Sequence, residues 1–134
     1  MQPHSLVAIV TLLALLLYFC MGLQVARARR KSGISAPAMT GHPLLERAVR
    51  VHYNTLEWLP IFLASMWLFA IYWNDRVAAV VGVVWIVGRL VYSFGYMADP
   101  GKRTAGFLIQ SLATGVLVFG ALGRLIYVAV TLGA

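Results

Sequence analysis

Four long apolar runs constrain this chain more than any other feature of its sequence. The first, Ser5 to Val25, carries no charge. The second begins near Leu44 and ends at Trp73; Leu59 to Trp73 is apolar, whereas its first half holds Arg47, Arg50, His52, Asn54 and Glu57. The third, Val77 to about Ala98, is interrupted by Arg89, and the fourth, Ala105 to about Leu132, by Arg124. Crossing a hydrocarbon layer about 30 Å thick takes about 20 mostly apolar residues in a helix rising about 1.5 Å per residue. The runs therefore predict spanning helices over residues 5–26, 44–73, 77–98 and 105–132 of a single domain, 1–134. Composition agrees: 61% of the chain is apolar and 11% charged, against about 25% charged in soluble domains. A disordered chain, a collagen and a disulfide-stapled module are excluded. The one cysteine, Cys20, can form no internal disulfide and is expected as a buried, apolar-like thiol; no metal site is expected.

The predicted connections are short. Residues 27–43 form the longest, with Gly33, Pro37, Gly41 and Pro43 as breakers; Asn74-Asp75-Arg76 and Asp99-Pro100-Gly101-Lys102-Arg103-Thr104 read as turns. Short loops force antiparallel neighbours, so the fold class is all-α integral membrane, an up-down bundle of four transmembrane helices. The N-terminal segment Met1 to His4 has no Lys or Arg and its apolar run exceeds that of a signal peptide, so the first span is expected to be retained. A net charge of +7 would suggest nucleic acid in a soluble protein. Here the bases cluster: Arg27, Arg29, Arg30, Lys31, Arg47 and Arg50 at the first connection, Lys102 and Arg103 at the third, only Arg76 at the second. Basic connections stay cytoplasmic. Loops 27–43 and 99–104 are thus expected in the cytoplasm, both termini outside, and no nucleic acid partner is expected. The near-repeat of Gly88-Arg89-Leu90-Val91-Tyr92 in Gly123-Arg124-Leu125-Ile126-Tyr127 lies at a different depth and is read as chance.

Ionisable residues inside spans are costly and are functional candidates. Arg47, Arg50, Asn54, Glu57 and Ile61 recur at steps of three and four, which places them on one helix face. Arg89, Tyr92 and Tyr96 form a second stripe, with Arg103 just beyond the following turn. Both stripes lie toward the cytoplasmic side. Together they can form a net-positive pocket in which arginines clamp carboxylates, Glu57 accepts from an ammonium and Asn54 pairs with an amide. The ligand suggested is a small zwitterion or polyanion with a peptide-like body. The alternative is purely structural: Arg50 or Arg89 neutralises Glu57 and stabilises the bundle. Arg47 and Arg124 are expected to anchor the helices at the head groups, His52 to point elsewhere, and Pro60 only to bend its helix.

The segment from Glu46 to Glu57, followed by Pro60-Ile61-Phe62, resembles the signature of the MAPEG family, the membrane-associated proteins in eicosanoid and glutathione metabolism. The block Gly88-Arg89-Leu90-Val91-Tyr92, through Gly95-Tyr96 to Lys102-Arg103, is similar to the family's third-helix block. The chain looks like a compact bacterial member of the glutathione transferase type. The resemblance implies a homotrimer of four-helix subunits in a bacterial cytoplasmic membrane, with glutathione as cosubstrate between adjacent subunits. Arg50, Asn54 and Glu57 would hold the glutathione peptide, Glu57 at its amino end. Arg89, Tyr92 and Tyr96 of the neighbouring subunit would complete the site, and Arg103 would stabilise the thiolate that attacks a small lipophilic electrophile arriving from the bilayer. Two departures stand out. Ala26 occupies the closest register to a first-helix arginine that binds glutathione in several members, with Arg27, Arg29 and Arg30 nearby, and Tyr53 stands where the eicosanoid synthases have another arginine.

The implied activity is a membrane-bound glutathione transferase, with peroxidase activity on lipid hydroperoxides as an extension. The competing reading is a non-catalytic relative that binds an anionic lipid or thiol metabolite. A small four-helix multidrug exporter needs an acidic residue in its first span for proton coupling, and Ser5 to Val25 has none.

Overall fold

The computed structural model describes residues 2–133, so Met1 of the N-terminal segment and Ala134 lie outside it. Four helices follow one another: α1 (Ser5–Ser32), α2 (Pro43–Tyr72), α3 (Asp75–Ala98) and α4 (Thr104–Leu132), with a 3₁₀ turn over Pro100–Arg103 between the last two. All four are long and apolar enough to cross a membrane.

The main difference from the sequence expectation is the end of α1. The helix runs on through Arg27 to Lys31, so the first connection covers only residues 33–42. Nothing in that stretch breaks a helix, and cations at a helix C-terminus are favoured by the helix dipole. Gly33 ends it, in the left-handed conformation at φ 72° with its N–H bonded to the Arg29 carbonyl. The other starts carry local signals. His42 Nδ1 accepts from the Leu44 N–H at 3.1 Å ahead of Pro43, and Asn74 Oδ1 accepts from the Val77 N–H at 3.0 Å. Asp99 Oδ1 accepts from the Gly101 N–H at 3.1 Å and sets the 3₁₀ turn. Pro60 sits at an exposed position and α2 continues unbroken through it.

Polar ties at the helix ends fix the up-down order. His4 Nδ1 meets Asp75 Oδ1 at 2.8 Å, joining the starts of α1 and α3. Arg47, at the start of α2, donates to the carbonyls of Met97 and Ala98 at the end of α3, at 3.2 and 3.3 Å. Near the end of α4, Arg124 donates to the Tyr72 carbonyl at the end of α2, at 3.2 Å. These two arginines satisfy open carbonyls of neighbouring helices, a more specific task than the head-group anchoring expected of them.

α2 and α3 lie at the centre, each packed against both α1 and α4. The main core joins Val7 and Val10 of α1, Phe62 and Met66 of α2, Trp85 of α3 and Leu117 of α4. The Phe62 and Trp85 rings stack with centroids 4.0 Å apart. α3 and α4 cross at glycines. A Cβ on Gly106 would overlap the Tyr92 backbone, and one on Gly88 would lie 2.7 Å from the Gln110 nitrogen. Small residues let backbones approach where lipid supplies no hydrophobic drive between helices. The outside is as apolar as the inside: Leu12, Phe19, Phe94, Leu112, Phe119 and Val130 are all exposed. Cys20 is exposed too, contrary to expectation, because it falls on the outer side of α1.

Candidate active site

The polar stripe of α2 divides. At about 100° per residue, Asn54 lies about 40° around the helix from Arg50 and Glu57 about 20° the other way. Those offsets separate their fates. Asn54 turns inward and is buried, whereas Arg50 and Glu57 stay half-exposed and face each other, Nη1 to Oε1, at 3.7 Å. This is one of the two pairings the sequence left open. The other, Arg89 with Glu57, does not occur.

Arg89 is fully buried at the α2–α3 contact. Its Nη1 donates to Asn54 Oδ1 at 2.9 Å and its Nη2 to Thr55 Oγ1 at 2.7 Å. The guanidinium lies 4.2 Å from the centroid of the Tyr92 ring. Thr55 in turn donates to the Val51 carbonyl at 2.9 Å. Among the described residues no carboxylate pairs with this cation, and its Nε has no acceptor. Oxygen faces Arg89, so the Asn54 amide presents its N–H donors in the opposite direction. Arg89 is therefore not part of the recess lining; it stands behind the wall and holds Asn54 and Tyr92 in place.

In front of that wall lies a recess of about 360 Å³, lined by Arg50 and Asn54 of α2, Tyr92 and Tyr96 of α3, Arg103 of the 3₁₀ turn and Phe107 of α4. Its volume falls within the ~300–1,000 Å³ of small-molecule sites. The Tyr92 and Tyr96 ring centroids are 5.6 Å apart. Arg103 reaches back to donate to the Pro100 carbonyl at 3.1 Å, and its guanidinium carbon lies 5.9 Å from the Tyr96 ring centroid. The close α3–α4 crossing sets this geometry, since Gly106 sits against Tyr92 one residue before Phe107.

Five of the seven expected site residues thus line one recess, and one chain supplies them all. Tyr92 and Tyr96 do not depend on a neighbouring subunit to meet Arg50 and Asn54, because α2 and α3 of the same chain are packed together. Glu57 stands outside the lining, beside Arg50. None of Arg27, Arg29 and Arg30 reaches the recess: Arg27 and Arg30 line a different cleft, and Arg29 donates to the Ala38 carbonyl. His52 stacks on Tyr18 with centroids 4.5 Å apart, and the Tyr53 hydroxyl meets Met39 Sδ at 3.3 Å. Thr55 and Phe107 escaped the sequence reading. Thr55 adjoins Asn54, and Phe107 stands one helical turn after Arg103, the only signal that marked it.

The arrangement suits an anion that also carries amide groups. Two unburied guanidiniums flank a carboxamide donor and two phenols, with aromatic faces on the remaining sides. Nothing in it resembles a metal centre, and among the described residues no cluster of three His, Cys, Asp or Glu side chains exists.

The MAPEG family model matches residues 7–123 of the chain. An uncharacterized protein of the cyanobacterium Synechocystis sp. is 48% identical over 115 residues, covering 86% of this chain and 84% of that one. Leukotriene C4 synthase of Cavia porcellus is 39% identical, over 85% of this chain and 76% of its own. Human microsomal glutathione S-transferase 2 is 38% identical, over 88% and 81%. The match reaches into all four helices and covers both blocks that build the recess, and the chain belongs to the MAPEG family as an integral membrane member.

Proposed function

We propose that the chain is a membrane glutathione transferase that activates glutathione as its thiolate. The observation that carries this reading is the convergence of Arg50 and Asn54 of α2, Tyr92 and Tyr96 of α3, and Arg103 of the 3₁₀ turn on one recess of about 360 Å³. Glutathione is a peptide with two carboxylates, one ammonium and a thiol. Arg50 clamps a carboxylate, Asn54 donates to a peptide carbonyl, and Glu57 at the rim accepts from the ammonium. Arg103 approaches the sulfur. A guanidinium there stabilises the thiolate over the thiol, and the S–H proton leaves to water. The thiolate attacks the electrophilic carbon, the C–S bond forms, and the displaced electron pair goes to the leaving group or opened ring. Against a lipid hydroperoxide, the same thiolate attacks the distal oxygen and releases the lipid alcohol. A second glutathione then converts the resulting sulfenic acid to disulfide and water. Relatives named as leukotriene C4 synthase and microsomal glutathione S-transferase 2 support the thiol and the lipophilic electrophile.

The chain is proposed to work as a homotrimer in a bacterial cytoplasmic membrane, with both termini outside and the recess toward the cytoplasm. Glu57, at the middle of the 30-residue α2, is half-exposed on the surface of the single chain. A carboxylate facing lipid at that depth is costly, and a neighbouring subunit over this face would remove it from lipid. The test is conjugation of glutathione to a chromogenic lipophilic electrophile by the purified protein, with binding followed by calorimetry. Arg50→Ala removes a charge-assisted bond of about 1.5–3 kcal/mol, so binding should weaken by about 10- to 100-fold. Binding without conjugation by the wild-type protein would favour the non-catalytic reading.

A further inference from the structure

On the other side of α3 from the recess, α1 and α3 enclose a second cleft of about 480 Å³. Its walls change character along its length. Leu17 and Met21 of α1 face Leu90 and Phe94 of α3, and beyond them come Gln24, Arg27 and Arg30. Leu17 to Arg30 covers thirteen helical steps, about 20 Å. Arg27 and Arg30, three residues apart, lie on one helix edge and close the cleft's polar end. A smaller recess of about 250 Å³ adjoins it, shares Gln24 and Arg27, and adds Lys31. Among the described residues the ion pairs are His4 with Asp75 and Arg50 with Glu57, so no acid neutralises either arginine. Phe94 projects at the cleft's rim, 73% exposed.

Cations at the end of α1 serve its dipole whatever lies beside them. Here they also cap a largely apolar cleft on the outer surface of two helices apolar enough to span a membrane, and that combination suits an amphiphile. We infer that the α1–α3 cleft binds an anionic phospholipid. The phosphate takes hydrogen bonds from Arg27 and Arg30, Gln24 contacts the glycerol region, and one acyl chain lies along Leu17, Met21, Leu90 and Phe94. Basic pockets between spanning helices hold anionic head groups in this way. A soluble anion would leave the apolar length unused, and a zwitterionic lipid would leave the two guanidiniums without net compensation.

The test uses the full chain in detergent, offered phosphatidylglycerol and phosphatidylcholine of identical acyl chains at equal concentration, with bound lipid counted by native mass spectrometry. One phosphatidylglycerol per subunit is expected, preferred about 25-fold, since each of the two arginines near the head group contributes roughly a factor of five. Arg27→Gln/Arg30→Gln should abolish the preference. Arg29→Gln/Lys102→Gln removes the same charge outside the cleft and should keep it. Water-soluble glycerol phosphate should not displace the lipid. Equal retention of the two lipids, no retention, a preference that survives Arg27→Gln/Arg30→Gln or is lost equally in the control, or displacement by glycerol phosphate would each overturn the inference. None of these readouts involves glutathione.

Discussion

Arg89 decides more about this site than its place behind the recess lining suggests. It spends its two Nη groups on Asn54 and Thr55, and its charge rests against the Tyr92 ring. Arg89→Met would leave the Asn54 and Thr55 oxygens buried without their donor, at a cost of about 1–3 kcal/mol. It would also free the Asn54 amide to turn. Expected outcomes are a lower unfolding midpoint in detergent and weaker glutathione binding. In a double-mutant cycle with Asn54→Ala the two effects should be non-additive, with a coupling of up to about 1.7 kcal/mol, as between polar groups in other membrane bundles. Additive effects would show that Arg89 does not act through Asn54. Spacing made Arg50, Asn54, Tyr92, Tyr96 and Arg103 legible in the sequence, since steps of three and four place residues on a face. It did not show that a 60° arc of that face would send Asn54 into the core and Glu57 out of it. Nor did it show Arg89 as a supporting residue, because burial depends on the helix opposite.

At the scale of elements, the closest contact is the crossing of α3 and α4 at Gly88 and Gly106. Gly106→Ala places a methyl against the Tyr92 backbone, so the helices must separate. Overpacking of this kind costs about 1–3 kcal/mol. Because Tyr92 and Phe107 flank the crossing, the recess should widen and glutathione binding should fall along with thermal stability. Gly115→Ala in the same helix meets no atom within 4 Å and should leave both unchanged. Equal effects of the two substitutions would contradict the packing account. Hydropathy alone made the four helices readable, and turn chemistry located two of the three connections. The end of α1 is not legible in that way: the basic run from Arg27 to Lys31 reads as loop, yet the helix continues through it. Charge marks which side of a membrane a segment occupies, not where its helix stops; Gly33 marks that.

For the whole molecule, the single chain leaves the Arg50–Glu57 pair half-exposed on its surface. Self-association over that face predicts a protein mass in detergent, by light scattering, of three times the 14.7 kDa subunit. A monomer that still binds glutathione would show the recess to be complete within one chain and the trimer to be dispensable for binding. Thiol activation in the recess is read out by ultraviolet absorbance of the thiolate as glutathione is titrated into the purified protein near neutral pH. A saturable thiolate signal is expected, lost in Arg103→Ala with conjugation falling by about 10²-fold or more, and weakened in Glu57→Gln through looser binding. Saturable glutathione binding with no thiolate signal in the wild-type protein, or a signal undiminished by Arg103→Ala, would contradict thiol activation in the recess.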